Sequence, residues 1–155
     1  MDSYIDCYWL VKTRNSEICN IFLENILPSR KESALDYPFP SLIDIPSKVY
    51  KNVNDLIDHL IIEPNEEYSL YWKNCDQNSF YKHGMVFFTD DGKMIFGVSV
   101  KGEAPDDIEV EKKYLEVKSL LGSDLGCITV DEMIPLNSNE FIELCGKRHV
   151  PSGIK

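Results

Sequence analysis

Three histidines, five cysteines and a clustered excess of carboxylates are the side chains of this chain that could carry chemistry. His59, His83 and His149 stand far apart and form no H-x-x-x-H or H-E-x-x-H pair, so the sequence lacks the two-histidine helix face of a zinc hydrolase. Cys7, Cys19, Cys75, Cys127 and Cys145 are an odd number at wide spacings with no C-x-x-C pair. They read as reduced, mostly buried thiols and not as a zinc site or redox motif, with a reactive Cys7 or Cys75 as the alternative. A thiol enzyme needs an imidazole beside the sulfur and a third group to orient it, and Cys75 with His83 is the pairing that could supply the first two. Serine hydrolysis lacks its G-x-S-x-G turn, and GSDLG at 122–126 is too short and too acidic to cradle a phosphate. Asp90 and Asp91 lack the alternating acids and terminal glutamate of a calcium loop, and turn chemistry accounts for them. The expectation is a non-catalytic protein without cofactor or metal.

Charge points instead to binding. Residues 102–143 carry eleven carboxylates against three lysines, a net of −8 within a chain whose total is −10, whereas residues 1–51 hold seven acids and six bases. A surface of one sign steers an oppositely charged partner and repels nucleic acid and anionic lipid, so a protein partner is expected and nucleic acid and membrane are not. Asp106, Asp107, Glu109 and Glu111 open a predicted helix that carries Lys112, Lys113 and Lys118 further along. The helix macrodipole alone favours that order by about 0.3–1 kcal/mol per charge. Asp131 and Glu132, beside Met133 and Ile134, suit the polar rim of an interface with an apolar centre. The candidate charged contacts are therefore Asp106, Asp107, Glu109, Asp131 and Glu132. The aromatic stretch Tyr68, Tyr71, Trp72, Phe80 and Tyr81 has only Lys73 and Lys82 beside it, which argues against base stacking in a basic groove. Core packing and a protein-binding anchor fit better, with Tyr71 and Trp72 the first candidates.

The elements that would hold these residues follow from periodicity and punctuation. YIDCYWLVK at 4–12 nearly alternates and predicts an opening strand. Ile18, Phe22 and Ile26, with Leu23 and Leu27 beside them, recur at helical spacing after a Ser16 cap and before Pro28. Pro38, Pro40 and Pro46 disfavour helix over 29–47 and predict an irregular connection that packs down. Val53, Leu56, Ile57 and Leu60 form one stripe after a possible Asn52 cap, and EEYSLYWKN at 66–74 predicts a strand. GMVFFTDDGKMIFGVSV at 84–100 is the strongest local signal: Asp91-Gly92 between two β-rich runs predicts a hairpin, with a two-residue turn and a three-residue loop plus bulge both open. Its runs are apolar on both alternating sets, which places it centrally, covered on both faces. Val110, Tyr114, Val117 and Leu121 predict a helix stopped by Gly122, residues 127–130 a short strand, and Ser138 or Asn139 the cap of a last helix with Phe141, Ile142 and Cys145. The basic tail at 147–155 lacks a helical stripe and is expected to be loose.

Strands and helices mix without βαβ alternation, so the expected fold is α+β: one domain over 1–155, a mainly antiparallel sheet with the 84–100 hairpin at its centre, packed by helices. At this length such a domain buries roughly 70% of the surface its unfolded chain exposes. The first residues, MDSYIDCYWLVK, lack the basic region and cleavage site of a signal peptide, and no apolar stretch approaches the roughly 20 residues of a membrane span, so a cytosolic protein is expected. The YWKN segment at 71–74, the FFTDDGKMIFGVSV hairpin at 87–100 and the terminal helix beginning NSNEFIEL resemble the small acidic immunity proteins of bacterial polymorphic-toxin and contact-dependent inhibition systems. That resemblance implies a cytoplasmic protein that binds and neutralises a cognate toxin domain, often a basic nuclease. A generic protein-interaction module and a small Cys75/His83 enzyme are the alternatives.

Overall fold

The computed structural model describes residues 3–40 and 45–151. In chain order the elements are β1 (Tyr4–Val11), α1 (Ser16–Ile26), β2 (Arg30–Glu32), β3 (Tyr37–Phe39), β4 (Lys48–Tyr50) and α2 (Val53–Ile62). Then come β5 (Tyr68–Asn74), β6 (Tyr81–Phe88), β7 (Met94–Lys101), α3 (Ile108–Leu121), β8 (Leu125–Thr129) and α4 (Ser138–Cys145). Six strands form one antiparallel sheet in the order β2-β5-β6-β7-β1-β8, and β3 pairs with β4 in a second, two-stranded sheet. The fold is α+β, as the sequence predicts, with the β6–β7 hairpin at its centre.

Period-two burial sorts the side chains of the large sheet onto two faces. One face carries Ile5, Cys7, Trp9, Leu70, Trp72, Val86, Phe88, Phe96 and Val98, and packs against the buried stripes of α1, α2 and α3. On the other face Tyr8, Leu10, Met85, Phe87, Ile95 and Cys127 meet Phe141 and Cys145 of α4. The hairpin is covered on both faces because its apolar residues occupy both alternating sets.

The hairpin turn takes the longer of the two forms left open. The Thr89 amide donates to the Lys93 carbonyl at 2.9 Å and the Gly92 amide to the Thr89 carbonyl at 3.4 Å, so Asp90, Asp91 and Gly92 form a three-residue loop. Gly92 sits at φ 85°, the left-handed conformation this loop type assigns to glycine. Both aspartates turn outward and bind the start of α4: Asn137 donates to Asp90 at 2.9 Å, and Ser138 donates its amide to Asp91 at 3.2 Å and its hydroxyl to the same carboxylate. Burial works to raise the Asp91 pKa, but the Ser138 and Thr89 hydrogen bonds and nearby Lys93 hold it below the usual carboxylate range.

Three expectations need correction. The caps fall one residue early: Asn15, not Ser16, accepts from Glu17 at 2.8 Å, and Asn137, not Ser138 or Asn139, accepts from Glu140 at 3.1 Å. Ser138 is buried and taken by Asp91, which leaves the preceding asparagine to close α4. The stretch 29–47 is not wholly irregular, because β2 adds to the sheet edge and β3, with Pro38 where an edge strand tolerates it, pairs with β4; residues 41–44 lie outside the described residues. The tail is tied down over 147–151: Ile128 donates to the His149 carbonyl at 2.8 Å, Arg148 grips Glu132, the His149 ring meets Glu111, and Pro151 is buried. Residues 152–155 lie outside the described residues. Among the described residues no helix is long and apolar enough to cross a membrane.

Candidate functional site

α4 covers only part of its sheet face, and the sequence of each strand explains why. On β1 the residues of that face run Tyr4, Asp6, Tyr8, Leu10; on β7 they run Ile95, Gly97, Ser99, Lys101; on β6 they run His83, Met85, Phe87. The apolar ends register with one another beneath Phe141 and Cys145, and the polar ends register at the opposite end, beyond the reach of an eight-residue helix. Cross-strand pairing then assembles one polar row over five strands: Thr129 opposite Asp6, Asp6 opposite Ser99, Ser99 opposite His83, and His83 opposite Lys73.

A cavity of about 460 Å³ opens on this row, lined by Ser3, Tyr4, Asp6, His83, Ser99, Val130 and Asp131. The Ser99 hydroxyl donates to Asp6 at 2.6 Å, and the backbone of Asp131 lies close enough to favour that carboxylate. Asp131 holds φ 49°, a left-handed conformation that aspartate tolerates better than most residues, and this turns the chain back over the end of β1. The Tyr4 and His83 rings meet edge to face with centroids 6.0 Å apart and form an aromatic wall.

Electrostatics mark Asp6 as the unusual group. Burial raises its pKa above the ordinary carboxylate value, the Asp131 charge adds to that, and the Ser99 hydrogen bond, the Asp131 backbone and nearby His83 oppose it without cancelling it. The His83 imidazole is held below its ordinary value by burial and by Lys73, with Asp6 pulling the other way, so it is neutral at pH 7. A carboxyl whose folded pKa is raised favours the folded state while protonated, and that stability is lost as pH rises from the ordinary carboxylate range through the folded value. Asp6→Asn keeps an acceptor for Ser99 and removes the charge. The variant is expected to be at least as stable as the parent at pH 7 and to lack the parent's decline between acidic and neutral pH, as read from urea midpoints at several pH values. A clear loss of stability at pH 7 would mean that the carboxylate is a structural asset.

The candidate contacts named from sequence divide into two groups. β7 and β8 both run antiparallel to β1, so both end beside its start, and the segments that follow them leave the fold at one end. Asp106 and Glu109 there are exposed, Asp131 lines the cavity rim, and none of the three forms a salt bridge among the described residues. Asp107 is half-buried and caps α3, accepting from the Glu109 amide at 2.9 Å. Tyr71 is 49% exposed on the open face, diagonal to His83. The other two do not serve as expected. Glu132 is already paired within the chain: Arg148 and Thr129 bind it and lower its pKa to about 2, because the tail returns over β8. Trp72 is 1% exposed and belongs to the core, because β5 alternates and Trp72 takes the inward phase opposite Tyr71.

The thiol-enzyme alternative pairs Cys75 with His83. Cys75 is exposed in the loop after β5, its amide donates to Ser29, and no hydrogen bond joins it to His83, whose ring packs on Tyr4. The other four cysteines are buried. The polar row escaped the sequence reading because its members are single residues from five separate strands. The available signal was a polar residue at the same end of each otherwise apolar strand. Comparisons of the chain with protein-family models, with curated proteins and with solved structures each found no match.

Proposed function

We propose that this protein is a non-catalytic inhibitor of the immunity type, which binds a basic bacterial toxin domain with the acidic end of its sheet. The observation that supports the reading is the placement of Asp106, Glu109 and Asp131 at one end of the fold, without salt bridges among the described residues, beside exposed Tyr4, Ile108 and Val130. Carboxylates around an apolar and aromatic patch suit a charged rim with a dry centre. On a basic nuclease they would occupy the places of the substrate phosphates, giving fast association and specificity through charge complementarity.

Co-purification with the C-terminal toxin domain encoded immediately upstream of the gene, at low and high salt, tests the reading. A one-to-one complex that suppresses toxicity is expected. Reversing Asp106, Glu109 and Asp131 to lysine together is expected to slow association about tenfold or more at low salt and to flatten its salt dependence. An unchanged association rate in the folded variant, or no complex between folded partners, overturns the proposal.

A further inference from the structure

We propose that the cavity between β1, β6 and β7 receives an arginine side chain of the protein partner, whose guanidinium lies against the Tyr4–His83 wall and bridges the carboxylates of Asp6 and Asp131. The inference rests on reading this end of the sheet as a docking surface, and it names what that surface recognises.

Four observations carry it. First, Asp6 has no salt bridge among the described residues: the hydrogen bond its carboxylate accepts comes from the neutral Ser99 hydroxyl. A carboxylate drawn partly out of water ordinarily has a cation beside it. Second, among the described residues no lysine or arginine lines the cavity. Lys73 stands opposite His83, and Lys101 stands opposite Tyr4 on the same face, yet neither is among the lining residues. Third, the wall is aromatic. A planar guanidinium stacks on rings while its fork of donors engages carboxylates, a combination that a compact ammonium cannot match. Fourth, the Ser99–Asp6 bond holds the Asp6 carboxylate before anything binds, and the left-handed turn at Asp131 sets the backbone of that residue at the rim, which reduces the ordering needed on association. The volume of about 460 Å³ is also more than an isolated cation would fill.

The test uses the isolated protein and needs no toxin. Acetyl-arginine methylamide is titrated while backbone amide and His83 ring resonances are followed by NMR, with acetyl-citrulline methylamide as the uncharged isostere and acetyl-lysine methylamide as the ammonium comparison. The expected result is saturable shifts confined to residues 3–6, His83, Ser99 and 130–131 with the arginine probe. Binding is expected to be weaker by about tenfold or more with citrulline, and by the same factor for Asp6→Asn, as loss of a charge-assisted hydrogen bond predicts. Tyr4→Ala, at a position already exposed and therefore safe for folding, is expected to weaken the arginine probe more than the lysine probe. Citrulline binding as well as arginine, or shifts that are absent or spread over the whole acidic surface, overturns the arginine pocket. Either result leaves the docking surface itself to charge reversal at Asp106 and Glu109, which lie outside the cavity and are read on toxin association.

Discussion

Replacing Arg14 with alanine is expected to lower stability by roughly 3 kcal/mol, because one guanidinium holds four backbone carbonyls, of which Glu63 and Thr89 each accept one further amide, from Glu66 and Gly92. Arg14 donates to Glu63 at 2.8 Å, to Glu66 at 2.6 Å, to Thr89 at 2.6 Å and also to Leu60. Leu60 and Glu63 belong to the C-terminal turn of α2, where carbonyls lack intrahelical partners and the helix dipole is negative. Glu66 lies in the connection to β5, and Thr89 begins the hairpin loop whose aspartates bind α4. The guanidinium also lies 5.2 Å from the centre of the Phe88 ring. One side chain thus joins a helix end, a loop and the central hairpin, and no neighbour replaces it. Arg14→Lys keeps the charge but offers a compact head that cannot span four acceptors, so it is expected to recover less than half of the loss. Arg14→Met keeps the apolar stem and should behave like alanine. Urea denaturation of the three variants checks the order, and full stability in Arg14→Lys would show that charge, not the fork of donors, is what matters.

Much of this architecture is legible in the sequence wherever a single element decides the outcome. The stripe Val110, Tyr114, Val117 and Leu121 predicts α3, and Gly122 ends it in the left-handed conformation at φ 63°. The Asp91-Gly92 turn between two apolar runs predicts the hairpin, and the double-sided burial of those runs predicts its central place. What the sequence hides is decided by tertiary partners. Ser138 would cap α4 on propensity, yet Asp91 claims its hydroxyl from a loop 47 residues away. Glu132 and Asp131 are adjacent and chemically alike, but the returning tail neutralises the first while the turn aims the second at the cavity. Tyr71 and Trp72 likewise look equivalent until strand phase buries one and exposes the other. The candidate site is the extreme case, because Asp6, His83 and Ser99 are unremarkable alone and acquire meaning only through register.

The same dependence on register makes Gly126 the most sensitive position near the site. Gly126 pairs with Trp9, and a Cβ built there would lie 2.3 Å from the Tyr8 carbonyl oxygen, 2.8 Å from the Tyr114 hydroxyl and 2.9 Å from Cδ1 of Trp9. The Trp9 and Tyr114 rings are stacked with centroids 5.4 Å apart, and both are fully buried, so neither can swing clear. The carbonyl cannot yield either unless β8 moves off β1. Gly126→Ala is therefore expected to cost about 3 kcal/mol, at the upper end of the range for overpacked interiors. Gly122→Ala supplies the contrast: nothing lies within 4 Å of its Cβ, so only the backbone conformation objects, at about 1 kcal/mol. Because β8 carries Thr129 and leads directly to Asp131, displacement of the strand also shifts Asp131 away from Asp6 and opens the cavity at its rim. Gly126→Ala, studied where it remains folded, is thus expected to lose response to the arginine probe although no lining residue has changed. Urea midpoints and the same NMR titration read the two effects together. A variant that is destabilised but still binds the probe fully would show that the cavity is held by β1, β6 and β7 alone.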